Sequence, residues 1–177
     1  MPLSGYLDQK LSAFADEALC DEAAFNEWVT KTQKALVRFC RQFVGDWSEA
    51  EDMAQEAYIR AWQKRSSFKG KSSLLTWQMS IARRVCLNRL RDRKKANLML
   101  LDKRDITSEC DVITKVDVQC ALEKLSIDDR IILYLRVGED TPFEDIAKLL
   151  GRTASACRKR FERAKLRFEA AYSGMEE

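Results

Sequence analysis

The stretch Ser72–Lys95, which reads SSLLTWQMSIARRVCLNRLRDRKK, decides the fold because it has two chemically opposite sides. Plotted as one α-helix, its apolar side chains fall within one broad arc. That arc holds Leu74, Leu75, Met79, Ile81, Ala82, Val85, Cys86 and Leu90. We predict one helix that buries this arc in a core. Arg89 also points into the arc, where a buried carboxylate partner would be needed to accommodate it.

The opposite side of this helix carries a narrow polar stripe. The stripe consists of Trp77, Arg84, Asn88, Arg91 and Lys95, with Arg83 and Lys94 beside it. Cations bind phosphates, amides read base edges, and an exposed aromatic ring stacks on an unpaired base. A solvated basic face with Trp77 at the core edge would explain the same residues. The helix by itself leaves both interpretations open.

The distribution of charge favours contact with nucleic acid. The 177-residue chain has a net charge of only +3, but its cations are concentrated in two segments. Residues 74–95 carry seven Lys and Arg against one acid, and residues 152–169 carry seven against two. Two separate basic segments on a nearly neutral chain indicate two nucleic-acid contacts.

The composition argues against an enzyme. The chain has no histidine, the usual general base and the commonest metal ligand, and it has no phosphate-binding glycine loop. Its six cysteines show no Cys-x-x-Cys spacing and fit small apolar core residues of a reduced, cytosolic protein. We therefore predict no catalytic residue, no metal, no cofactor and no small-molecule substrate.

No apolar run approaches the roughly 20 residues of a membrane-spanning helix, and the first residues lack a secretory pattern. We therefore expect a cytoplasmic protein without a membrane span.

The residues before the organising helix predict a loosely docked helix in the N-terminal lead and two longer helices after it. Residues 1–21 form an N-terminal lead with a loosely docked helix. An amphipathic helix is predicted from Glu22 to Val44, ending near Gly45. The next helix is predicted to begin at Ser48, with Glu51 completing a capping box.

The helix predicted to begin at Ser48 carries an acidic stripe on a face separate from its core. The stripe is formed by Glu49, Asp52 and Glu56, with Gln55 beside them. No base four residues on relieves Glu49 or Asp52. The stripe is either a solubilising face or a docking site for a basic partner.

A short basic turn with Phe68 leads into the organising helix, and residues 22–95 make a first domain.

Residues 96–116 lose helical periodicity and are predicted to be a flexible linker.

A second helical domain follows at residues 117–173. In Thr141-Pro142-Phe143-Glu144, threonine is the expected N-cap, proline the first helical residue and glutamate the third. That helix stops at Gly151, and a basic helix follows within residues 152–170. The pattern predicts a helix-turn-helix, although an ordinary helical hairpin would share it. The fold class is thus all-α, with two small domains.

Three blocks of the chain together resemble the extracytoplasmic-function group of the sigma-70 family of bacterial RNA polymerase sigma factors. The first block is Glu51–Trp62, reading EDMAQEAYIRAW. The second is FKGKSSLLTW at residues 68–77, followed by IAR at 81–83. The third comprises segments of residues 121–164, including the helix-turn-helix. The resemblance covers roughly residues 22–172.

The resemblance implies a role for each surface. Glu49, Asp52, Gln55 and Glu56 would bind the basic coiled coil of the largest polymerase subunit. The upstream-ten promoter element would be bound by Phe68, Lys69, Lys71, Trp77, Arg83, Arg84, Asn88 and Arg91. The upstream-thirty-five element would be bound by Ser155, Arg158, Lys159, Arg160, Arg163 and Arg167. The implied partners are core RNA polymerase, promoter DNA and an anti-sigma protein, and the implied context is a stress response.

One departure concerns the recognition helix, where Ala156-Cys157 stands in place of the threonine and valine that the family more often has. This leaves the promoter sequence open.

Two other functions remain possible. A helix-turn-helix regulator acting without polymerase would explain residues 141–170 but not the acidic stripe, and a helical adaptor would use only that stripe.

Overall fold

The structure is a computed structural model that describes residues 19–100 and 116–174, with side chains placed for residues 19–96 and 118–174. Within these ranges the chain forms helices and no strand. The helices are α1 (Glu22–Val44), α2 (Trp47–Gln63), a 3-10 turn (Arg65–Ser67), α3 (Leu74–Leu100), α4 (Val116–Glu123), α5 (Ile127–Leu133), a π-helical turn (Tyr134–Gly138), α6 (Phe143–Leu150) and α7 (Ala154–Ser173). The all-α prediction is confirmed.

Helix α1 has the bounds that its sequence predicts, because both of its ends have a local cause. The Asp21 carboxylate accepts hydrogen bonds from the backbone N–H groups of Ala23 and Ala24 at the first turn. At the other end, the Gly45 N–H donates to the carbonyl of Arg41.

Helices α1, α2 and α3 pack against one another around a common core. Two hydrogen bonds lie inside it. The Trp28 indole Nε1 donates to Gln78 Oε1 at 2.6 Å, and the Thr32 and Tyr58 hydroxyls lie 2.8 Å apart. These pairs satisfy polar groups that would otherwise be costly to bury. Apolar periodicity gives no sign of them, and the sequence analysis missed them.

The predicted start of α2 is wrong by two residues. The N-cap is Asp46, whose Oδ1 accepts a hydrogen bond from the Glu49 N–H at 2.9 Å, and the helix begins at Trp47. Ser48, the predicted cap, lies exposed inside the first turn. Either residue suits a cap chemically, and Asp46 is the one with extended backbone, at φ −87° and ψ 141°.

Helix α3 buries the predicted arc, with Leu74, Met79, Ala82, Val85 and Cys86 in the core. The Ser73 Oγ accepts a hydrogen bond from the Thr76 N–H at its start. The helix continues to Leu100, five residues beyond its predicted end and into the predicted linker.

Helices α4 to α7 form the second group, and α6 and α7 make the predicted helix-turn-helix. The turn between them contains Gly151, which has φ 65° and ψ 39°, a left-handed conformation that favours glycine. Thr153 then caps α7 by accepting a hydrogen bond from the Ala156 N–H at 3.2 Å.

The predicted cap of α6 is wrong by one residue. Pro142 is the N-cap, with ψ 145°, and so it is not the first helical residue. Thr141 makes no side-chain cap, and its backbone N–H donates to the Leu135 carbonyl at 2.8 Å. A tertiary hydrogen bond to the preceding π-helical turn thus fixes Thr141 outside the helix.

The two groups are in contact, since α1 and α3 pack against α5 and α6. The predicted loosely docked helix in the N-terminal lead and most of the predicted linker lie outside the described residues. The proposed domain boundaries at residues 22, 96 and 117 stay predictions.

Candidate nucleic-acid and partner interfaces

The acidic stripe on α2 is smaller than predicted, because Glu49 forms ion pairs with two arginines of α3. Its Oε1 lies 3.1 Å from Arg89 Nε, its Oε2 lies 3.0 Å from Arg93 Nη1, and its side chain is only 18% exposed. Glu49 therefore links α2 to α3. No base lies four residues after Glu49, as the sequence analysis states, and its cationic partners come from another helix.

The same contact explains Arg89. Its side chain lies exposed at the rim of the core rather than inside it, and Glu49 is the carboxylate partner that its position required.

The rest of the stripe faces outward. Asp52 and Gln55 are exposed, and Asp52 makes no ion pair among the residues that the structure describes. Glu56 pairs with Arg60 one turn further along the same helix. We call Asp52, Gln55 and Glu56 the acidic surface.

An apolar feature lies next to the acidic surface. Ile59 is 59% exposed and lines a groove of about 450 Å³ between α1 and α2, together with Asn26, Val29 and Gln55. The sequence analysis missed Ile59. The available signal was an isoleucine outside the core stripe of α2.

The loop before α3 contains an aromatic pair. The rings of Phe68 and Trp77 have centroids 5.4 Å apart and planes inclined at 59°, and both side chains are half-buried. Trp77 is thus less exposed than its position on the helix predicted, because Phe68 covers part of it. Lys69 and Lys71 are exposed on either side of Gly70. The arrangement places a partly open aromatic platform beside two cations.

The polar stripe of α3 continues from this platform. Arg84 and Arg91 are exposed and Asn88 is half-exposed. Arg83 differs from them, because its side chain is 28% exposed and its Nη2 lies 3.8 Å from Asp128 Oδ1 of α5. On α3, Trp77, Arg84, Asn88 and Arg91 therefore share one face of the helix, whereas Arg83 lies against the second group.

The recognition helix α7 exposes five of its six predicted DNA-binding residues: Ser155, Arg158, Lys159, Arg163 and Arg167. Arg158 Nη2 lies 2.6 Å from Glu144 Oε1 of α6, in an exposed ion pair that solvent screens. Arg163 Nε donates to the Lys159 carbonyl at 3.3 Å.

Two arginines of the predicted set pair with a buried carboxylate, and of these Arg160 is largely covered at 22% exposure whereas Arg167 stays 58% exposed. Arg160 Nε and Arg167 Nη1 each lie 2.7 Å from an oxygen of Asp129, a carboxylate buried at the start of α5. Burial opposes the charge of Asp129, but hydrogen bonds from Ser126, Arg160 and Arg167 outweigh it and hold the pKa of this carboxyl below its usual range. The prediction that Arg160 lies outward is therefore wrong.

Three cysteine thiols lie in the core as predicted, namely Cys40, Cys86 and Cys157. A hydrogen bond with Cys86 and burial raise the pKa of Cys40, and burial raises the pKa of Cys157. Because the thiolate is the reactive form, these thiols are suited to packing rather than to chemistry. In the part of the chain that the structure describes, no cluster of side chains has the composition of a metal site. No helix there is long and apolar enough to cross a membrane.

Two family models match the chain, and they fall on the two helical groups. The model described as Sigma-70 region 2 matches residues 28–96, which include the acidic surface, the aromatic platform and the stripe of α3. The model described as Sigma-70, region 4 matches residues 115–168, which include the helix-turn-helix.

Curated relatives agree with these matches. The RNA polymerase sigma-H factor of Pseudomonas aeruginosa is 29% identical over 82% of this chain and 84% of its own length. The ECF RNA polymerase sigma factor SigX of Bacillus subtilis is 30% identical over 65% of this chain and 66% of its own length. The probable RNA polymerase sigma factor RfaY of Xanthomonas campestris is 29% identical over 81% of this chain, which spans only 39% of the length of RfaY.

A solved structure has the same architecture. The sigma factor RpoE, in complex with the anti-sigma factor NepR from Bartonella quintana, superposes with a TM-score of 0.73 at 25% identity. The superposition covers 84% of this chain and 96% of that one.

Proposed function

Because the chain belongs to the sigma-70 family, in its extracytoplasmic-function group, we propose that it binds core RNA polymerase and directs it to promoter DNA as an alternative sigma factor. One observation carries this proposal. A single chain presents an exposed acidic surface and two unlike basic surfaces, in the order of regions 2 and 4. A helix-turn-helix regulator would use the surface of α7 and leave the other two without a role.

The polymerase contact is assigned to the acidic surface. Within the described part of the chain Asp52 makes no ion pair, and a basic partner would supply a cation for it. Ile59 and the groove between α1 and α2 add an apolar contact beside the charges. We leave Glu49 out of this proposal because both of its oxygens pair with Arg89 and Arg93.

The upstream-ten contact is assigned to the aromatic platform and the stripe of α3. A base that leaves the DNA stack costs a few kcal/mol, and stacking on an aromatic ring returns about 1–3 kcal/mol. Phe68 and Trp77 offer such a ring surface, and Lys69 and Lys71 flank it. Arg84, Asn88 and Arg91 then follow the path of a melted strand along α3. Capture of a melted strand in this way needs no catalytic group.

The upstream-thirty-five contact is assigned to the exposed residues of α7. Ser155, Arg158 and Lys159 lie near its amino end, which a recognition helix inserts toward the bases. Arg163 lies one turn further along, where the helix passes the phosphates. Arg160 and Arg167 act indirectly, since their pairing with Asp129 fixes α7 against α5.

The remaining expectations follow from this role. A sigma factor is a regulatory subunit, and we propose no enzymatic activity and no cofactor for the chain. Its site of action is the cytoplasm, where polymerase and promoter DNA are found. We also propose an anti-sigma protein as a partner, supported by the structural likeness to RpoE, which was solved with NepR.

The test is the affinity of the full chain for core polymerase after charge reversal on the acidic surface. Asp52→Lys and Glu56→Lys, singly and together, should weaken binding while the helical content stays unchanged. Glu123→Lys is the matched control, because Glu123 is exposed on α4 and lies outside the acidic surface. Affinity that stays equal in all variants at moderate salt would contradict the assignment.

A further inference from the structure

We propose that Glu144 of α6 positions the guanidinium of Arg158 for base reading, and so raises the sequence specificity of the upstream-thirty-five contact without itself binding DNA. The proposal rests on the proposed function, since it presumes that Arg158 lies in the DNA surface of α7. Glu144 lies outside the set of residues that the sequence predicted to bind DNA.

Two contacts from α6 fix the end of the Arg158 side chain. Its Nη2 lies 2.6 Å from Glu144 Oε1, and its Cζ lies 5.5 Å from the ring centroid of Phe143, within the range of a cation–π contact. The Phe143 ring is fixed in turn by an edge-to-face contact with Phe161 of α7, with centroids 5.7 Å apart and planes inclined at 67°. The orientation of the guanidinium is therefore set by both helices of the helix-turn-helix and not by α7 alone.

The ion pair leaves enough donors on Arg158 for a base. A guanidinium carries five N–H donors, and the hydrogen bond to Glu144 is made by Nη2. An arginine that reads guanine uses two donors, which bind O6 and N7 of the base. Arg158 can therefore keep its contact with Glu144 and bind a guanine at the same time, so DNA need not displace the carboxylate.

The pair between Arg158 and Glu144 contributes to specificity rather than to stability. The two side chains are 55% and 60% exposed, and an ion pair so exposed adds little to the free energy of folding. An arginine that is already oriented, however, loses less conformational entropy when it meets its base. This advantage belongs only to sequences that place the correct base at that position.

The negative charge of Glu144 also acts against non-specific binding. On a wrong sequence, an unrestrained Arg158 would turn to a phosphate, and every sequence offers phosphates. Glu144 opposes this movement because the guanidinium would have to leave its carboxylate. Specificity is a difference of affinities, so a penalty on the wrong complexes raises it as effectively as a gain on the right one.

The test uses the full chain assembled with core polymerase, with Glu144→Gln as the variant, because glutamine removes the charge and keeps the size. Glu144 is exposed in the first turn of α6, so the substitution should leave the fold intact, which circular dichroism checks. Asp140→Asn is the matched control. Asp140 is an exposed carboxylate that lies 2.6 Å from Arg136, whose guanidinium is 5.4 Å from the same Phe143 ring. Arg136 lies outside the predicted DNA surface.

The measured quantity is the ratio of two affinities. A duplex library with a randomised upstream element, selected with the wild-type holoenzyme and sequenced, first gives the preferred sequence. Fluorescence anisotropy then gives the affinities for that duplex and for a scrambled one. In Glu144→Gln the ratio of the preferred to the scrambled affinity should fall about threefold to tenfold, because a long side chain must then be ordered on binding. Asp140→Asn should leave the ratio unchanged.

Two further readouts separate positioning from a structural role of Glu144. The salt slope on the scrambled duplex should rise by about one unit in Glu144→Gln, because Arg158 is then free to bind a phosphate. In an Arg158→Ala background, adding Glu144→Gln should not change the affinity ratio any further. A structural role of Glu144 would instead lower both affinities alike, with or without Arg158.

Two results would overturn the proposal: an affinity ratio in Glu144→Gln equal to that of the wild type, or a fall in the ratio that persists in the Arg158→Ala background. A failure of the proposed function looks different. In that case the wild-type chain would not bind core polymerase, and the selection would enrich no sequence.

Discussion

Asp129 is a fully buried carboxylate at the start of α5, and it decides the roles of several arginines around it. Its two oxygens pair with Arg160 and Arg167, whereas Arg158 pairs with the exposed Glu144 and Arg163 lies on the exposed surface. Two of these four arginines are thereby tied to a buried carboxylate, and the other two are not. Sequence periodicity places these residues around the helix but does not reveal Asp129, because the partner lies more than 30 residues away.

Asp129→Asn should lower the free energy of unfolding by about 3 kcal/mol at neutral pH, because it removes one partner of a buried ion pair. The native pKa of Asp129 is depressed, so its contribution is fully present above the unfolded value of about 3.9 and is lost as pH falls below it. The difference between wild type and variant should therefore shrink below about pH 4.

Urea unfolding at a series of pH values measures this difference. Asp145→Asn is the matched control, since among the described residues Asp145 pairs with the exposed Lys148 of its own helix and its loss should cost less than about 1 kcal/mol. A stability difference for Asp129→Asn that does not change between pH 7 and pH 3 would refute the assigned role.

Arg158 and Arg163 should give different signatures on DNA. An arginine that grips a guanine with two hydrogen bonds discriminates by about 1–3 kcal/mol against a wrong base, whereas a phosphate contact contributes nearly one unit to the salt slope. Arg158→Ala should relax sequence preference at one or two upstream positions. Arg163→Ala should weaken all sequences alike and flatten the salt dependence.

The measurement is the affinity of the holoenzyme for single-base variants of the upstream element at several salt concentrations. The two alanine variants serve as controls for each other, since both remove one exposed cation from the same helix. If Arg158→Ala lowers the affinity for every variant equally, its assignment to base reading is wrong.

At the scale of the helices, local signals predicted most of the fold, and competing signals caused the errors. Helix α1 was predicted with its observed bounds because Gly45 ends the helix and no competing helix-ending residue lies beside it. The start of α2 was misplaced because Asp46 and Ser48 are both good caps and lie two residues apart. The cap of α6 was misplaced because a hydrogen bond to Leu135, distant from the local motif, fixes Thr141. Local chemistry cannot rank such alternatives.

The caps of α2 can be distinguished by mutation. Asp46→Ala should lower the free energy of unfolding by about 1 kcal/mol, because it leaves the Glu49 N–H without its side-chain acceptor. Ser48→Ala should change stability little, since Ser48 is exposed within the helix and alanine is the better helix former. Chemical denaturation of the two variants provides the comparison, and a larger loss in Ser48→Ala would restore the predicted cap.

At the scale of the whole molecule, the sequence predicted two helical groups but not their contact. Each group has its own apolar periodicity, and that is why both were recognised. The contact between them depends on single residues such as Tyr134 and Asp128, which have no periodic pattern. The ion pairs of Glu49 with Arg89 and Arg93 could not be predicted for the same reason. The candidate site was therefore predicted as a set of surfaces, and the structure then determined which members of each surface are free.

Run-off transcription with purified core polymerase on a library of genomic fragments tests the central claim most directly. The reaction is run with core alone, with the wild-type chain, and with the Asp52→Lys/Glu56→Lys variant. We expect discrete transcripts from a subset of fragments with the wild-type chain, none with core alone, and a marked loss with the variant. Promoter fragments bound by the chain without polymerase, with no new transcripts in any reaction, would contradict it.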